Sequence, residues 1–144
     1  MKIYLAARYS RNDEMRGVRD VLTAYGHEVT SRWIDQHGGE LEKSFTPEAL
    51  AADPEGCALF ARADVEDLEA ADTVISFTSE GGGGKGGRHV EFGLAAALGK
   101  RMIIVGPLEN IFHTLPIVEH YPSWSGLLVT LAPAAVEHIL GGAR

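Results

Sequence analysis

The sequence predicts one α/β domain, with helices on both faces of a central parallel sheet. Its 144 residues match the size of one ordinary domain, and 45% hydrophobic with 23% charged residues is a globular composition. Short apolar runs alternate along the chain with segments whose apolar residues recur at helical spacing. Strands that alternate with helices in this way form parallel βαβ units, so we assign residues 1–144 to a single domain.

Two strands and one helix are predicted near the start of the chain. The apolar run at residues 3–7 is typical of a buried parallel strand. Apolar residues then recur at helical spacing from Asn12, and Gly26 follows as a C-terminal capping glycine would. Residues 27–34 alternate loosely between polar and apolar side chains, which predicts the second strand.

The middle of the chain predicts a broken helix and a third strand. A polar loop ends at Thr46, and Pro47 takes the first helical position after it. The helical pattern runs towards residue 70, with a break expected near Asp53 and Pro54. The β-branched and apolar segment at residues 73–78 predicts the third strand.

The rest of the chain predicts two more strands and two more helices. A glycine-rich loop at residues 80–87 leads into a helix at residues 88–98, which Gly99 ends. Residues 101–106 predict a fourth strand of the fully buried type. We expect a fifth strand after it and a closing helix at residues 136–140.

Charge and cysteine content exclude several classes of protein. Thirteen Lys and Arg against 20 Asp and Glu give a net charge of -7, which disfavours binding to a nucleic acid polymer. Cys57 is the only cysteine, so there is no disulfide framework. No apolar run approaches the ~20 residues of a membrane span, and the first run stops at Arg8, too early for a signal peptide. We therefore expect a cytoplasmic protein without a membrane partner.

The sequence motifs also argue against cofactors and metals. The glycine run formally satisfies a dinucleotide-binding pattern, but it follows the third strand, and Gly86 after Lys85 rules out a P-loop. The histidines form no H-x-x-x-H pair and Cys57 has no cysteine partner, so we predict no metal and no cofactor. Two explanations of the glycines stay open: a flexible surface loop, or a backbone that passes close to a ligand.

Glu91 is the first candidate catalytic carboxylate. It is predicted in the first turn of the helix after the glycine-rich loop, where the helix dipole would favour its ionised form. An ionised, partly desolvated carboxylate can attack an electrophilic sugar carbon. Alternatively, Glu91 only balances the helix dipole.

Asp64 is the second candidate, because it falls on the predicted apolar stripe of its helix. A carboxylate on an apolar face is unusual unless it is paired or functional. Two carboxylates in different environments suit glycosyl chemistry, one as nucleophile and one as proton donor. Alternatively, Asp64 only bonds a neighbouring backbone amide. The stripe consists of Phe60, Ala61, Val65 and Leu68, whereas Glu66, Asp67 and Glu69 are expected to face solvent.

Four cations could form a phosphate-binding cradle. In doubly wound sheets ligands bind beyond the carboxyl ends of the strands, where the polar segments 8–12, 33–39 and 79–91 are predicted. The first and last of these segments carry the cations Arg8, Arg11, Lys85 and Arg88. The alternative is four solvated surface charges.

Three segments together resemble the nucleoside 2-deoxyribosyltransferase superfamily, which includes the 2'-deoxynucleoside 5'-phosphate N-hydrolases. They are IYLA at residues 3–6, DVEDLEAAD at residues 64–72 and GGRHVEFG at residues 86–93, the last continued by residues 95–100. The resemblance extends over about residues 2–114. It implies a flavodoxin-like doubly wound fold with five parallel strands, a homodimer or larger homo-oligomer, and cleavage of the N-glycosidic bond of a nucleoside or nucleotide.

The resemblance also implies roles for individual residues. Glu91 matches the nucleophile that forms a covalent glycosyl-enzyme, Asp64 the aspartate that protonates or orients the departing base, and Tyr4 a tyrosine that positions the nucleophile. Trp33 is expected to cover the base, and Asn110 or His113 to complete the pocket of a neighbouring subunit. The predicted substrate-binding residues are Arg8, Ser10, Arg11, Trp33, Lys85, Gly87, Arg88, Asn110 and His113.

One departure from the family pattern bears on the substrate. The transferases carry an aspartate six residues before the nucleophile, where it binds the sugar 5'-hydroxyl, and this chain has Lys85 there. A lysine suits a 5'-phosphate better than a neutral hydroxyl. We therefore expect hydrolysis of a (deoxy)nucleoside 5'-monophosphate to free base, as in nucleotide salvage. The alternatives are base exchange between deoxynucleosides and a non-catalytic nucleotide-binding module.

Overall fold

A computed structural model describes residues 1–36, 46–79, 86–134 and 137. Its strands are β1 (Lys2–Ala6), β2 (Glu28–Val29), β3 (Thr73–Phe77), β4 (Arg101–Val105) and β5 (Val118–Tyr121). Its helices are α1 (Asn12–Ala24), α2 (Pro47–Ala52), α3 (Pro54–Ala70), α4 (Gly87–Ala97) and α5 (Trp124–Leu131). Short 3-10 helices cover Tyr9–Arg11, Arg32–Asp35 and Ile111–Thr114.

The five strands form one parallel sheet in the order β2-β1-β3-β4-β5. From β1 the chain first moves outward to β2 and then returns to the other side of β1 to form β3. The strand order therefore reverses between β1 and β3, and the loops that follow these strands leave in opposite directions. This confirms the flavodoxin-like doubly wound fold, and it creates a crevice at the carboxyl ends of β1 and β3.

The core lies on both faces of β1, β3 and β4. All five residues of β3 are buried, as are Ile3 to Ala6 of β1 and Met102 to Val105 of β4. Such continuous apolar strands are expected where helices cover both faces of a sheet. Each fully buried Ile or Leu contributes about 1.5–3 kcal/mol, so these central strands are rigid supports for any side chain at their ends.

Local signals place the helix ends where the sequence predicts them. Gly26 has a φ of +86° and follows the end of α1. The side chain of Thr46 accepts a hydrogen bond from the backbone of Ala49 at 3.1 Å, and Asp53 caps Gly56 in the same way at 3.0 Å. The break predicted near Asp53 and Pro54 is confirmed, because Asp53 ends α2 and caps α3.

The second strand is much shorter than predicted. Instead of residues 27–34 it contains only Glu28–Val29, and a 3-10 helix follows at Arg32–Asp35. Side chains take over the pairing with β1: Ser31 Oγ accepts a hydrogen bond from the Leu5 N–H at 2.7 Å, and the Trp33 indole donates to the Leu5 carbonyl at 2.8 Å. Because Leu5 is satisfied in this way, a longer β2 would have no backbone partner there.

The apolar stripe predicted on the helix that contains Asp64 is only partly correct. Leu68 is buried, but Ala61 and Val65 are exposed. Asp67, expected to face solvent, is buried against Arg32, and this ion pair makes its burial tolerable. Val90 of α4 is also exposed.

The end of the chain agrees with the prediction in part. The expected fifth strand is β5, whereas α5 was not predicted. The predicted closing helix at residues 136–140 lies almost entirely outside the described residues. None of the described helices is long and apolar enough to cross a membrane.

Candidate functional site

Tyr4 and Glu91 meet beside the crevice at the point where the strand order reverses. Tyr4 is fully buried in β1, and its hydroxyl donates a hydrogen bond to Glu91 Oε1 at 2.8 Å. Burial and the nearby Glu91 charge hold the pKa of Tyr4 well above its usual range. The phenol therefore stays protonated and fixes one carboxylate oxygen of Glu91, which leaves Oε2 as the oxygen for chemistry.

Glu91 is not governed by the helix dipole as expected. It is the fifth residue of α4, beyond the first turn, where the dipole acts most strongly. Burial raises the pKa of its carboxyl to about 7, although the Tyr4 hydrogen bond and the Arg88 charge oppose this shift. Desolvation thus outweighs the dipole, and Glu91 carries its proton about half of the time near pH 7.

Asp64 is a second carboxyl group with a raised pKa in the same region. It lies partly buried on α3, and burial together with the charge of Asp67 raises its pKa to about 6, while Arg32 opposes the shift. Its charge acts on both Tyr4 and Glu91. Two carboxyl groups that titrate near neutrality at one site can share the roles of proton donor and nucleophile.

An open apolar pocket of about 440 Å³ lies between α2 and α3 and includes Asp64. Its other lining residues are Leu50, Pro54, Cys57, Ala58, Phe60 and Ala61. The volume is within the range of small-molecule sites. Its chemistry, an apolar wall with one carboxyl group, can hold a flat ring and bond one edge of it.

The predicted phosphate cradle is composed of residues with different surroundings. Arg11 binds both oxygens of Glu14 at 2.7 Å, and it also donates to the Thr78 carbonyl at 3.0 Å, just beyond β3. Arg8 precedes the first 3-10 helix and is partly buried, and Ser10 within that helix is exposed. Lys85 lies outside the described residues.

Arg88 has a carboxylate partner of its own. Its guanidinium pairs with both oxygens of Glu109, one contact measuring 2.9 Å, and both side chains are only 10% exposed. Although burial alone would raise it, the pKa of Glu109 is lowered by Arg88. This buried pair fastens the start of α4, next to Gly87, to the loop after β4. The role of Arg88 in binding phosphate stays a prediction.

A second polar cluster surrounds this ion pair. The ligand atoms of His89, Glu109 and His113 lie within 4.8 Å of one another, a combination that could hold a transition metal. However, Arg88 takes both oxygens of Glu109, and Asn110 Nδ2 contacts His89 Nδ1 at 3.3 Å and His113 Nε2 at 3.4 Å. The cluster is thus already satisfied by protein groups, and the absence of a metal stays a prediction.

Two of the predicted binding residues are largely occupied within their own chain. Trp33 is 7% exposed, and its ring lies 6.1 Å from that of Tyr9. His113 is buried against Phe92, with ring centroids 4.9 Å apart, and burial lowers its pKa. The predicted roles, Trp33 over the base and His113 in a neighbouring pocket, would each use a small exposed edge.

The structure brings together Tyr4, Asp64 and Glu91, which come from three different elements. It places Asp72, the last residue of the second family-like segment, elsewhere: its carboxylate accepts the Lys2 N–H at 2.9 Å, at the amino end of the sheet. No sequence pattern indicates a structural role for Asp67 or Glu109. Their importance depends on partners distant in sequence, Arg32 and Arg88.

Comparison with known proteins identifies relatives of this fold. No protein-family profile matches the chain, and no curated protein matches it. A CMP N-glycosidase from Clostridium botulinum is similar at 21% identity and a TM-score of 0.54, over 91% of this chain and 98% of that one. A 2-deoxyribosyltransferase from Bacillus psychrosaccharolyticus is similar at 21% identity and a TM-score of 0.64, over 91% and 96%.

Both structures belong to the superfamily that the sequence segments resemble. At this identity the likeness establishes the fold, and it extends over almost the whole of each chain. The fold that the resemblance of residues 3–6, 64–72 and 86–93 implies is therefore also the fold of these two structures.

Proposed function

We propose that this protein is an enzyme that cleaves the N-glycosidic bond of a (deoxy)nucleoside 5'-monophosphate and releases the free base. The observation that carries the proposal is the hydrogen bond from Tyr4 to Glu91, next to a second carboxyl group on Asp64. A buried carboxylate with one oxygen fixed and a neighbouring acid are the two groups that retaining glycosyl chemistry requires. The fold shared with an N-glycosidase and a deoxyribosyltransferase supports the same reaction class.

In this mechanism the first step forms a glycosyl ester. Glu91 Oε2 attacks the anomeric carbon while the carbon–nitrogen bond breaks, and Asp64 gives its proton to the departing base. In the second step water attacks the same carbon and its proton passes to Asp64. The sugar phosphate leaves, and the Glu91 carboxylate is regenerated. Tyr4 holds Glu91 throughout.

The apolar pocket beside Asp64 is the proposed place for the base. Its lining includes Phe60 and Pro54, whose rings can pack against a base, and Asp64, whose carboxyl can bond a ring nitrogen or an exocyclic group. We place the 5'-phosphate near the carboxyl ends of β1 and β3, where Arg8 and Arg11 lie. A phosphate there would share Arg11 with Glu14 or displace that carboxylate.

Base transfer between deoxynucleosides is the second candidate function. The higher TM-score, 0.64, belongs to the comparison with a 2-deoxyribosyltransferase. The glycosyl-Glu91 intermediate is the same in both reactions, and only the acceptor differs. A second base in place of water would make the product a new nucleoside.

We also propose that a second copy of this chain covers an exposed apolar surface beside the site. The surface consists of Val90 and the 111–117 segment, in which Ile111, Phe112, Leu115 and Ile117 are exposed. It adjoins α4 because Asn110 contacts His89. An apolar surface of this kind marks an interaction site, and the resemblance implies a homo-oligomer.

The test is a base-release assay on the full chain with purine and pyrimidine nucleosides and their 5'-monophosphates. We expect free base from at least one monophosphate, and a loss of three orders of magnitude or more in Glu91→Gln. The matched control is Glu119→Gln, which changes a carboxylate on β5 that pairs with Arg101 of β4. Unchanged turnover in Glu91→Gln would reject the nucleophile.

The same assay separates the alternatives. Base exchange without net hydrolysis, and indifference to the 5'-phosphate, would select the transferase. Nucleotide binding with no released base from any substrate would select a non-catalytic binding module and overturn the enzymatic proposal.

A further inference from the structure

Asp67 is a buried acid one helical turn beyond Asp64. Its side chain is only 7% exposed, and it is held by Arg32, whose backbone N–H donates at 2.8 Å and whose Nε donates at 2.6 Å. The Thr30 hydroxyl also donates to the Asp67 carbonyl at 2.8 Å. Residues three apart on a helix lie on the same face, so Asp67 and Asp64 are neighbours.

The two members of this ion pair differ greatly in their exposure to water. The Arg32 side chain is 57% exposed and divides its hydrogen bonds between Asp67 and Glu66, to which Nη2 donates at 3.1 Å. Water screens an exposed charge strongly and a buried charge weakly. At Asp64 the negative charge of Asp67 should therefore outweigh the positive charge of Arg32.

We propose that the Arg32–Asp67 ion pair sets the protonation of Asp64, with the buried Asp67 carboxylate holding the proton on Asp64 and Arg32 limiting this effect. Asp67 and Arg32 are thus positioning residues, since neither has to touch the substrate. The catalytic consequence rests on the proposed function, in which Asp64 donates a proton to the base. The electrostatic coupling itself does not.

Within the described residues, Asp64 interacts electrostatically with Asp67, Arg32, Tyr4 and Glu91, and Cys57 lines the same pocket. Asp67 lies on its own helix, Arg32 on the 3-10 helix after β2, Tyr4 on β1 and Glu91 on α4. The pKa of Asp64, about 6, is consistent with the proposal, because burial and Asp67 raise it and Arg32 lowers it. Glu66, one residue before Asp67, is exposed and is not among these groups.

The experiment is a titration of the aspartate side-chain carboxyls by carbon NMR in the full chain, with Asp64→Asn assigning the signal. We expect Asp67→Asn to lower the pKa of Asp64 and Arg32→Gln to raise it, each by on the order of one unit. Glu66→Gln is the matched control, because it removes a carboxylate from the same arginine and should leave the Asp64 titration in place.

Opposite shifts in the pKa of Asp64 distinguish electrostatic control from a purely structural role. A structural role would shift this pKa in the same direction in both variants, or in neither. Equal or absent shifts in folded Asp67→Asn and Arg32→Gln would overturn the proposal. If Asp67→Asn does not fold, the comparison of Arg32→Gln with Glu66→Gln decides alone. A rise in the pKa of Asp64 in Arg32→Gln and none in Glu66→Gln supports the proposal, and any other result rejects it.

The NMR result does not depend on turnover, so it stands or falls separately from the proposed function. If base release is observed, the acid limb of kcat/KM, which the group of lower pKa sets, should move to lower pH in Asp67→Asn and to higher pH in Arg32→Gln. Opposite NMR shifts without any base release would retain the coupling and reject the enzyme.

Discussion

Removing the Tyr4 hydroxyl should change the pH at which the protein works. Tyr4→Phe keeps the ring, which is fully buried in β1, and deletes the donor that lies 2.8 Å from Glu91 Oε1. The lost bond favours the ionised form of Glu91, so the pKa of Glu91 should rise above its present value of about 7.

The size of the change follows from the energy of a hydrogen bond to a charged group. Such a bond contributes about 1.5–3 kcal/mol, and 1.36 kcal/mol corresponds to one pKa unit, so the pKa of Glu91 should rise by about one to two units. At about pH 6.5 a rise of one unit reduces the ionised fraction of Glu91 from roughly a quarter to roughly 3%, or about eightfold.

The pH profile of the parent protein sets the reference. In the proposed mechanism Glu91 must be ionised to attack and Asp64 protonated to donate, and their pKa values are about 7 and about 6. Treated as independent groups, they give a bell-shaped profile with an optimum at about pH 6.5, where roughly 6% of the molecules carry both correct forms. Their coupling makes the two measured values properties of the pair.

The assay is base release over a range of pH, fitted for the maximum and both limbs of kcat/KM. Because Glu91, which must be ionised, has the higher of the two pKa values, a one-unit rise in Tyr4→Phe should lower the maximum by roughly sevenfold and move the alkaline limb to higher pH by about one unit. The loss of rate should be larger at low pH. Tyr9→Phe is the matched control, because its hydroxyl bonds the Gln36 carbonyl and not a carboxylate. A maximum and an alkaline limb that are both unchanged in Tyr4→Phe would refute the role of the hydrogen bond.

Two further predictions concern stability and assembly. Glu109→Gln should lower the free energy of unfolding by about 3 kcal/mol in urea titrations, because Arg88 would stay buried without a charged partner. Glu119→Gln breaks an exposed ion pair with Arg101 and should lower the free energy of unfolding by less than about 1 kcal/mol. Equal losses would contradict this prediction. Ile117→Asp should convert a homo-oligomer to monomer in light scattering, and Leu59→Asp, an equally exposed leucine on α3, should not; no change in Ile117→Asp would reject this interface.

The order of the strands and of α1 to α4 could be predicted because each depends on local pattern. Local features determine secondary structure within a few residues: the apolar run at residues 3–7 forms a strand, the glycine at position 26 ends a helix, and the proline at position 54 begins one. The parallel sheet follows from the alternation of strands and helices. The second strand was predicted too long because Ser31 and Trp33 satisfy Leu5 with side chains, which periodicity does not reveal.

The two candidate carboxylates were also accessible from the sequence, but their ionisation was not. Glu91 and Asp64 were identified from their positions on predicted helices and from the family-like segments. The helix dipole alone predicts a lowered pKa for Glu91, whereas burial raises it to about 7, and Glu91 lies beyond the first turn of α4. Desolvation is a property of the whole neighbourhood, so only the packed structure determines it.

The amino-acid order alone therefore indicated the α/β class, a ligand site beyond the carboxyl ends of the strands, and Tyr4, Asp64 and Glu91 as candidates. Tertiary structure alone decided which charges stand next to them. The pairs Arg32–Asp67 and Arg88–Glu109 join residues 35 and 21 positions apart, in elements that meet only after the sheet has formed. Local periodicity shows which face of a helix is apolar, whereas the partner of a buried charge depends on what packs against that face.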